Sequence, residues 1–437
     1  MSTEKDLDLE FDRDYPLQHV PKKARVSIIS ISAVLLGFTF FTPTMLAGAE
    51  IGVSFTLWPD FFYILFGGSL ILGVYVALLS VIGARSGLTT VLLSKYTLGK
   101  AGAKWADILL GGTQIGWYGV TVATMAQMFA KALGWEPYTV PLMILFSLMM
   151  GITAYYGYKG MEILSYVSVP LLLVLGIWVT MKAVGDAGGW SQLALIEPTG
   201  TMTVATAITV IVGTFASGGT QAPNWTRFAK NAKVAFWAAL VAFLVGNGLM
   251  LFFGAIGAIA YQMGDFVEIL YSMGLIFWGI VFLTLNLWTT NDNAAYAFGV
   301  AGSEMFNVNN KKPFVVGGVI IATVLAVTGI YNYLITYLVG LGIFIPPLGG
   351  VILGDYFFVW KSKLPRMETV EFPNVRWSAV ISYLIGVLAA YIGNEFGIGI
   401  APLNGIVFAA ITIPFVSSLF QKIGIDQMPE VKDEDVA

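Results

Sequence analysis

The sequence predicts an all-α, polytopic membrane protein of twelve transmembrane helices, and three observations predict it. Of 437 residues, 57% are hydrophobic and only 11% are charged, with a mean hydropathy of +0.79. A water-soluble domain could not cover that much apolar surface. The apolar residues also gather into windows of membrane length, and the basic residues between them fall almost wholly on one side.

The windows run 27–49, 60–83, 106–130, 138–157, 161–183, 204–223, 233–260, 268–300, 313–331, 333–358, 377–396 and 402–421. If the amino terminus is cytoplasmic, only Lys131 and Lys182 lie on the far side, leaving 21 of 23 lysines and arginines inside. The positive-inside rule then places both termini in the cytoplasm, and one missed span would scramble the pattern. Residues 1–25 hold six acidic and five basic side chains without an apolar core, so they are expected to be a cytoplasmic tail and not a signal peptide. Residues 423–437 form the second tail, and 26–422 a single transporter domain.

The longest cytoplasmic loop, Lys361 to Arg376, divides ten spans from a final two at 377–421. Five and five give an inverted repeat of the LeuT type, about 27–183 and 204–358, and each half opens on an interrupted segment. The first is Gly37 to Met45 (GFTFFTPTM) and the second Gly213 to Trp225 (GTFASGGTQAPNW), which is too rich in glycine, with a proline, to be expected to stay helical. Broken backbone in a bilayer needs protein, ion or substrate to satisfy it. Paired breaks therefore point to a midplane site, whereas isolated breaks would be plain kinks.

Composition excludes several chemistries. There is no cysteine, and the single histidine, His19, lies in the tail, so disulfides, thiolate metal sites and histidine relays are out. An HExxH enzyme is impossible, and Asp107, Asp292 and Asp355 lack a paired-aspartate spacing, which leaves a membrane enzyme as a remote alternative. A channel would want a continuous polar stripe. No lysine or arginine sits at the midplane, which disfavours anionic substrates. The expected partners are the lipid bilayer and a small molecule, with no nucleic acid, no obligate protein partner and no cofactor beyond a coupling ion.

Two helical faces carry candidate ligands. In the eighth span Asn286, Thr289 and Thr290 stand at i, i+3 and i+4. Neutral oxygens in that pattern, completed by carbonyls of an unwound helix, suit a small hard cation, although the same hydroxyls also serve as interhelical glue. Asp292 just beyond offers a proton-relay alternative. In the third span Gln114 and Trp117 share a face, the amide offering a donor and an acceptor and the indole a flat wall. With Phe215 they outline a slot for a planar uncharged heterocycle, or else they simply pack. Glu50 and Glu162 receive no role from the sequence.

Six stretches together resemble the nucleobase:cation symporter-1 family and, within it, its cytosine carriers. They are LLGFTFFTPTM (Leu35 to Met45), RSGLTT (Arg85 to Thr90), LLGGTQIGWYGV (Leu109 to Val120), RFAKNAKVA (Arg227 to Ala235), LNLWTTNDNAAYA (Leu285 to Ala297) and IPPLGGVILGDY (Ile345 to Tyr356). The resemblance spans about Val26 to Gln421. It implies a LeuT-like bundle in the inner or plasma membrane that imports cytosine with sodium by alternating access. It further implies sodium held by the carbonyls of Gly37, Phe40 and Asn286 and the hydroxyls of Thr289 and Thr290. The ring would stack between Trp117 and Phe215, its edge read by Gln114 with Ser217, the Thr214 backbone and the Asn286 side chain. Helix ten would gate, bending at Pro346 and Pro347. Thr214 replaces a serine of those carriers and Glu50 stands in a divergent stretch. Another planar ring (a purine, allantoin, a hydantoin or a hydroxymethylpyrimidine), with or without proton coupling, stays open.

Overall fold

The computed structural model describes residues 19–156, 159–306, 308, 310–425 and 428–431. The remainder of the two expected tails, and the side chain of Glu162, lie outside the described residues. The chain is predominantly helical. In order come α1 (Ile28–Thr39), α2 (Thr42–Gly52), α3 (Phe62–Ser86), α4 (Thr90–Leu133), α5 (Thr139–Tyr156), α6 (Lys159–Asp186) and α7 (Val204–Thr220). There follow α8 (Ala232–Val241), α9 (Asn247–Tyr261), α10 (Phe266–Ser272), α11 (Ile276–Phe306), α12 (Lys312–Val327), α13 (Leu334–Phe344), α14 (Pro346–Gly354), α15 (Trp377–Phe396) and α16 (Ala401–Lys422). Among the described residues five helical segments are long and apolar enough to cross a membrane, and α1 with α2, bent by 58° at their break, have together the length and composition of a sixth. Large apolar side chains such as Phe66, Ile152, Leu384 and Phe415 face outward, as lipid requires.

Helix limits depart from the apolar windows where local chemistry overrides hydropathy. The third window starts at 106, yet α4 begins at Thr90, where the Thr89 hydroxyl caps the Leu92 amide. Gly99 kinks this helix at φ 83, and a Cβ there would meet the carbonyls of Asn374 and Pro373 at 2.8 Å. The eighth window starts at 268, but Asp265 caps a separate short α10, and Gly274 at φ 68 turns the chain before α11. At Pro346 and Pro347 the helix is interrupted at the single residue Ile345. Ile345 keeps helical angles (φ −85, ψ −48), and residues Ile330–Val359 form one span. Pro346 and Pro347 have no amide to donate, so the backbone ladder resumes at Leu348, which bonds the Ile345 carbonyl at 3.0 Å.

Glycines set the helix packing. Gly48 lies against the Leu251 backbone and Gly52 against Ala255, pressing α2 onto α9, while Gly68 receives Ile211 and joins α3 to α7. A second group packs α4 with α5, α11 and α12, and α14 to α16 form a third. The two lysines outside the charge rule are both paired. Lys131 meets Glu268 at 3.1 Å, and Lys182 meets Asp186 at 3.0 Å. On the opposite side the amino-terminal segment is docked through Val20 on the Gly87 carbonyl (3.0 Å) and Val26 on the Phe228 carbonyl (2.7 Å).

Candidate functional site

The first break is two residues long. Phe40 (φ −76, ψ 81) and Phe41 (φ −127, ψ 115) leave the helix between α1 and α2. The carbonyls of Gly37, Phe38 and Thr39 thereby lose the amides that a continuing helix would offer. Phe41 has turned away, Thr42 donates elsewhere and Pro43 has no N–H.

Asn286 on α11 repairs part of this loss. Its Nδ2 donates to the Phe40 carbonyl at 2.9 Å, and its Oδ1 accepts from the Thr42 amide (3.1 Å) and the Thr42 hydroxyl (2.8 Å). One buried amide thus stitches both sides of the break to α11. Both ends of the amide are engaged, so a ring edge that used this side chain would have to compete with the stitch.

The other expected sodium ligands lie along the same seam. The Thr289 hydroxyl donates to the Asn286 carbonyl at 3.0 Å, which commits its proton and leaves its lone pairs free. Thr289 is buried and Thr290, one residue on, is half-buried. Beside Gly37 there is open space, since an added Cβ would meet nothing within 4 Å. Among the described residues no cluster of three His, Cys, Asp or Glu side chains could hold a metal. The oxygens that line the seam are uncharged backbone carbonyls and hydroxyls, the donor types a small hard cation takes.

The second break differs from the expectation. The stretch from Gly213 stays helical to Thr220 except at one residue, Phe215 (φ −128, ψ 19). Its glycines serve close packing and not unwinding. Gly213 lies under the Leu338 carbonyl, a Cβ on Gly218 would meet the Phe38 ring at 2.6 Å, and Gly219 abuts Val76. The Thr214 hydroxyl bonds back within the same turn, donating to the Ile211 carbonyl at 2.6 Å.

The aromatic slot gathers around a residue that sequence reasoning missed. Trp117 and Phe215, both 4% exposed, each face Phe41 edge-on, with ring centroids at 5.1 and 5.6 Å. Tyr337 completes the wall, 5.6 Å from Trp117, with its hydroxyl on the Thr113 carbonyl at 2.6 Å. Phe41 sits inside the first break motif and was visible there. Tyr337 had no local signal. Gln114 donates through Nε2 to the Ser217 hydroxyl at 3.2 Å, and Thr113 and Gln221 reach the same oxygen at 2.6 and 3.3 Å. That contact spends one N–H of Gln114, and the second N–H and the carbonyl oxygen are the groups the side chain has left for a ligand.

Of the other acidic candidates, Asp355 is fully buried and pairs with the fully buried Arg376 at 2.9 Å. Arg376 also donates to the Tyr96 carbonyl (2.6 Å), so this ion pair ties the end of the tenth expected span to the start of α4 and lies apart from the slot. Asp107 and Asp292 are buried as well.

A family model described as permease for cytosine/purines, uracil, thiamine, allantoin matches residues 19–412. The chain is 35% identical over 426 residues to the cytosine permease of Escherichia coli strain K12, covering 97% of this chain and 99% of that one. It is 22% identical over 399 residues to the purine-uracil permease NCS1 of Arabidopsis thaliana, covering 79% and 63%. Among solved structures, the inward-facing conformation of Mhp1 superposes with a TM-score of 0.81 at 15% identity, covering 94% of each chain. The closed conformation of Mhp1 with bromovinylhydantoin gives 0.77 at 16% identity, covering 94% of this chain and 96% of that one.

Proposed function

This chain belongs to the family of permeases for cytosine, purines, uracil, thiamine and allantoin, a family of multi-pass membrane transporters and not of enzymes, and from that premise we propose that it imports cytosine with a sodium ion by alternating access. The proposed architecture is twelve helices in the cell membrane, five and five inverted plus two, with both termini cytoplasmic.

Sodium sits at the seam between the first broken helix and α11, held by the carbonyls of Gly37, Phe40 and Asn286 and the hydroxyls of Thr289 and Thr290. A carbonyl oxygen has two lone pairs, so Phe40 and Asn286 can each keep the hydrogen bond they have and still face the ion. Cytosine occupies the slot between Trp117 and Phe215 once Phe41 yields. The Gln114 carbonyl accepts from the exocyclic amine, and Ser217 and the Thr214 backbone complete the edge. The single observation that carries the reading is the Asn286 stitch, which makes α11 the reference against which the first break is held. An ion at that seam favours the bent arrangement, the bent arrangement shapes the slot, and each ligand must then tighten the other by the same factor.

The test is uptake of radiolabelled cytosine into proteoliposomes holding only this protein, under an imposed sodium gradient, with adenine, uracil, allantoin and hydantoin as competitors. Sodium-driven accumulation blocked by cytosine alone supports the reading. Accumulation driven equally well by a proton gradient would transfer coupling to a carboxyl such as Asp292, and competition by another ring would reassign the substrate.

A further inference from the structure

A cavity of about 240 Å³ that the proposed cycle does not use opens between the start of α7 and the turn that joins α15 to α16. It lies at the end of the bundle away from the docked amino-terminal segment, which meets the chain beyond the other end of α7, at Phe228. Thr203, Thr206 and Thr209 line one wall at successive turns, and Asn394, Glu395 and Ala401 line the other. A water takes about 30 Å³ of liquid volume, so the space admits a polar group of several heavy atoms.

The chain itself fixes both walls. Gly397 ends α15 at φ 65 with its amide on the Gly393 carbonyl, and the Asn404 side chain donates to the Ile398 carbonyl at 2.7 Å, which holds the turn. Thr209 is buried against Gly342 of α13, where a Cβ would meet the threonine methyl at 2.7 Å.

The lining is acidic and rich in acceptors. The Thr209 hydroxyl spends its proton on the Ala205 carbonyl at 2.8 Å, and Thr203 and Thr206 share one proton across 2.8 Å. Lone pairs remain on these oxygens. Glu395 is the one ionisable lining residue, its Oε1 3.3 Å from the Asn394 amide nitrogen, and it makes no ion pair among the described residues. Lys131 and Lys182, the two lysines expected at this end, are already paired with Glu268 and Asp186. A cation for Glu395 would have to come from outside the chain. Hydroxyl and carboxylate acceptors together suit a primary ammonium, which brings three N–H donors.

The surroundings indicate what carries that ammonium. Val204, Phe396, Ile398 and Leu403 stand beside the lining residues in sequence and are exposed. At the ends of membrane-spanning helices such side chains meet acyl chains. We infer that the cleft is a lipid site for a phospholipid whose headgroup ends in a primary ammonium. The ammonium lies on Glu395 and the threonine oxygens, and the acyl chains run along the exposed apolar side chains. The occupant joins the start of α7, which carries the second break, to the final two helices. Neither cytosine nor sodium enters this inference.

Native mass spectrometry tests it, on purified, delipidated full-length protein offered equal amounts of phosphatidylethanolamine and phosphatidylcholine with the same acyl chains. The two lipids share phosphate, glycerol and net charge, and only the first has N–H donors. Wild type should prefer phosphatidylethanolamine by about tenfold, the scale of one charge-assisted hydrogen bond. Glu395→Gln removes the charge and keeps the shape, and Thr206→Phe fills the cleft from the opposite wall. Each should bring the preference below about twofold. Equal retention of the two lipids by wild type overturns the site. A preference that survives Thr206→Phe overturns it too, since the lipid would then sit outside the cleft. Phosphoethanolamine without acyl chains should displace the lipid poorly, and displacement as effective as by the lipid itself would overturn the lipid as occupant in favour of a soluble ammonium. The wild-type comparison needs no variant to fold.

Discussion

The two breaks look alike in sequence and are held in opposite ways. The first spans two residues and is mended from outside, by Asn286 of α11 bonding Phe40 and Thr42 across sequence separations of 246 and 244 residues. The second is a kink at one residue, Phe215, inside a helix that otherwise continues to Thr220, where the Thr214 hydroxyl bonds back to Ile211 within its own turn. A break held by another helix changes when that helix moves relative to it. A break held by its own turn travels as a unit. The first is thus suited to be the moving, ion-sensitive element, and the second to be a fixed wall of the slot.

The largest effect that would break this contrast is expected at the stitch. Asn286→Leu strands the Phe40 carbonyl and the Thr42 amide, each at about 1–3 kcal/mol. Cytosine uptake should fall by about 100-fold or more, since each 1.4 kcal/mol is a factor of ten, and the melting temperature in detergent should drop. Uptake within about threefold of wild type, a difference under 1 kcal/mol, would show that the first break holds itself. Next in size is Thr289→Ala with Thr290→Ala. Cytosine binding without sodium should be unchanged, and its stimulation by sodium should vanish. Stimulation that persists would move the ion away from the α11 seam.

How much of this was legible in the sequence follows from how local each cause is. Apolar windows located the helices because burial in lipid acts residue by residue, and Pro43 with its threonines marked the first break. The second break lies inside the expected stretch but is shorter than expected, because glycine has two uses, and chemistry at Gly213, Gly218 and Gly219 does not say whether backbone bends or a neighbour presses close. Here Leu338, Phe38 and Val76 press. Asn286 was legible as a ligand type, but its partners lie 244 and 246 residues away. Phe41 could have been found in its motif. Tyr337 could not, since only the packed fold brings it to Trp117.

A sharper and smaller test concerns the edge of the slot. Gln114→Ala removes an acceptor for the exocyclic amine, so cytosine should lose more affinity than an analogue lacking that amine. A difference of about tenfold corresponds to the net value of one hydrogen bond, roughly 1–1.5 kcal/mol. Competition binding in saturating sodium measures it. Equal losses for the two rings would mean that Gln114 only supports Ser217, to which it is bonded at 3.2 Å.

The smallest effect is expected at Thr214, and it separates the two breaks most directly. Thr214→Ser keeps the hydroxyl that bonds back to Ile211 and removes one methyl, so cytosine affinity should change by less than about threefold, under 1 kcal/mol. Bulkier rings should compete slightly better through the wider slot. Thr214→Val keeps the bulk and deletes the hydroxyl, removing its bond to the Ile211 carbonyl, a loss of about 0.5–1.5 kcal/mol. Its cost should appear in the melting temperature and leave sodium stimulation intact, because nothing in this bond reaches α11. If Thr214→Val instead abolished sodium stimulation as fully as the loss of Thr289 and Thr290, the second break would not be a fixed wall. The ion would be felt equally at both.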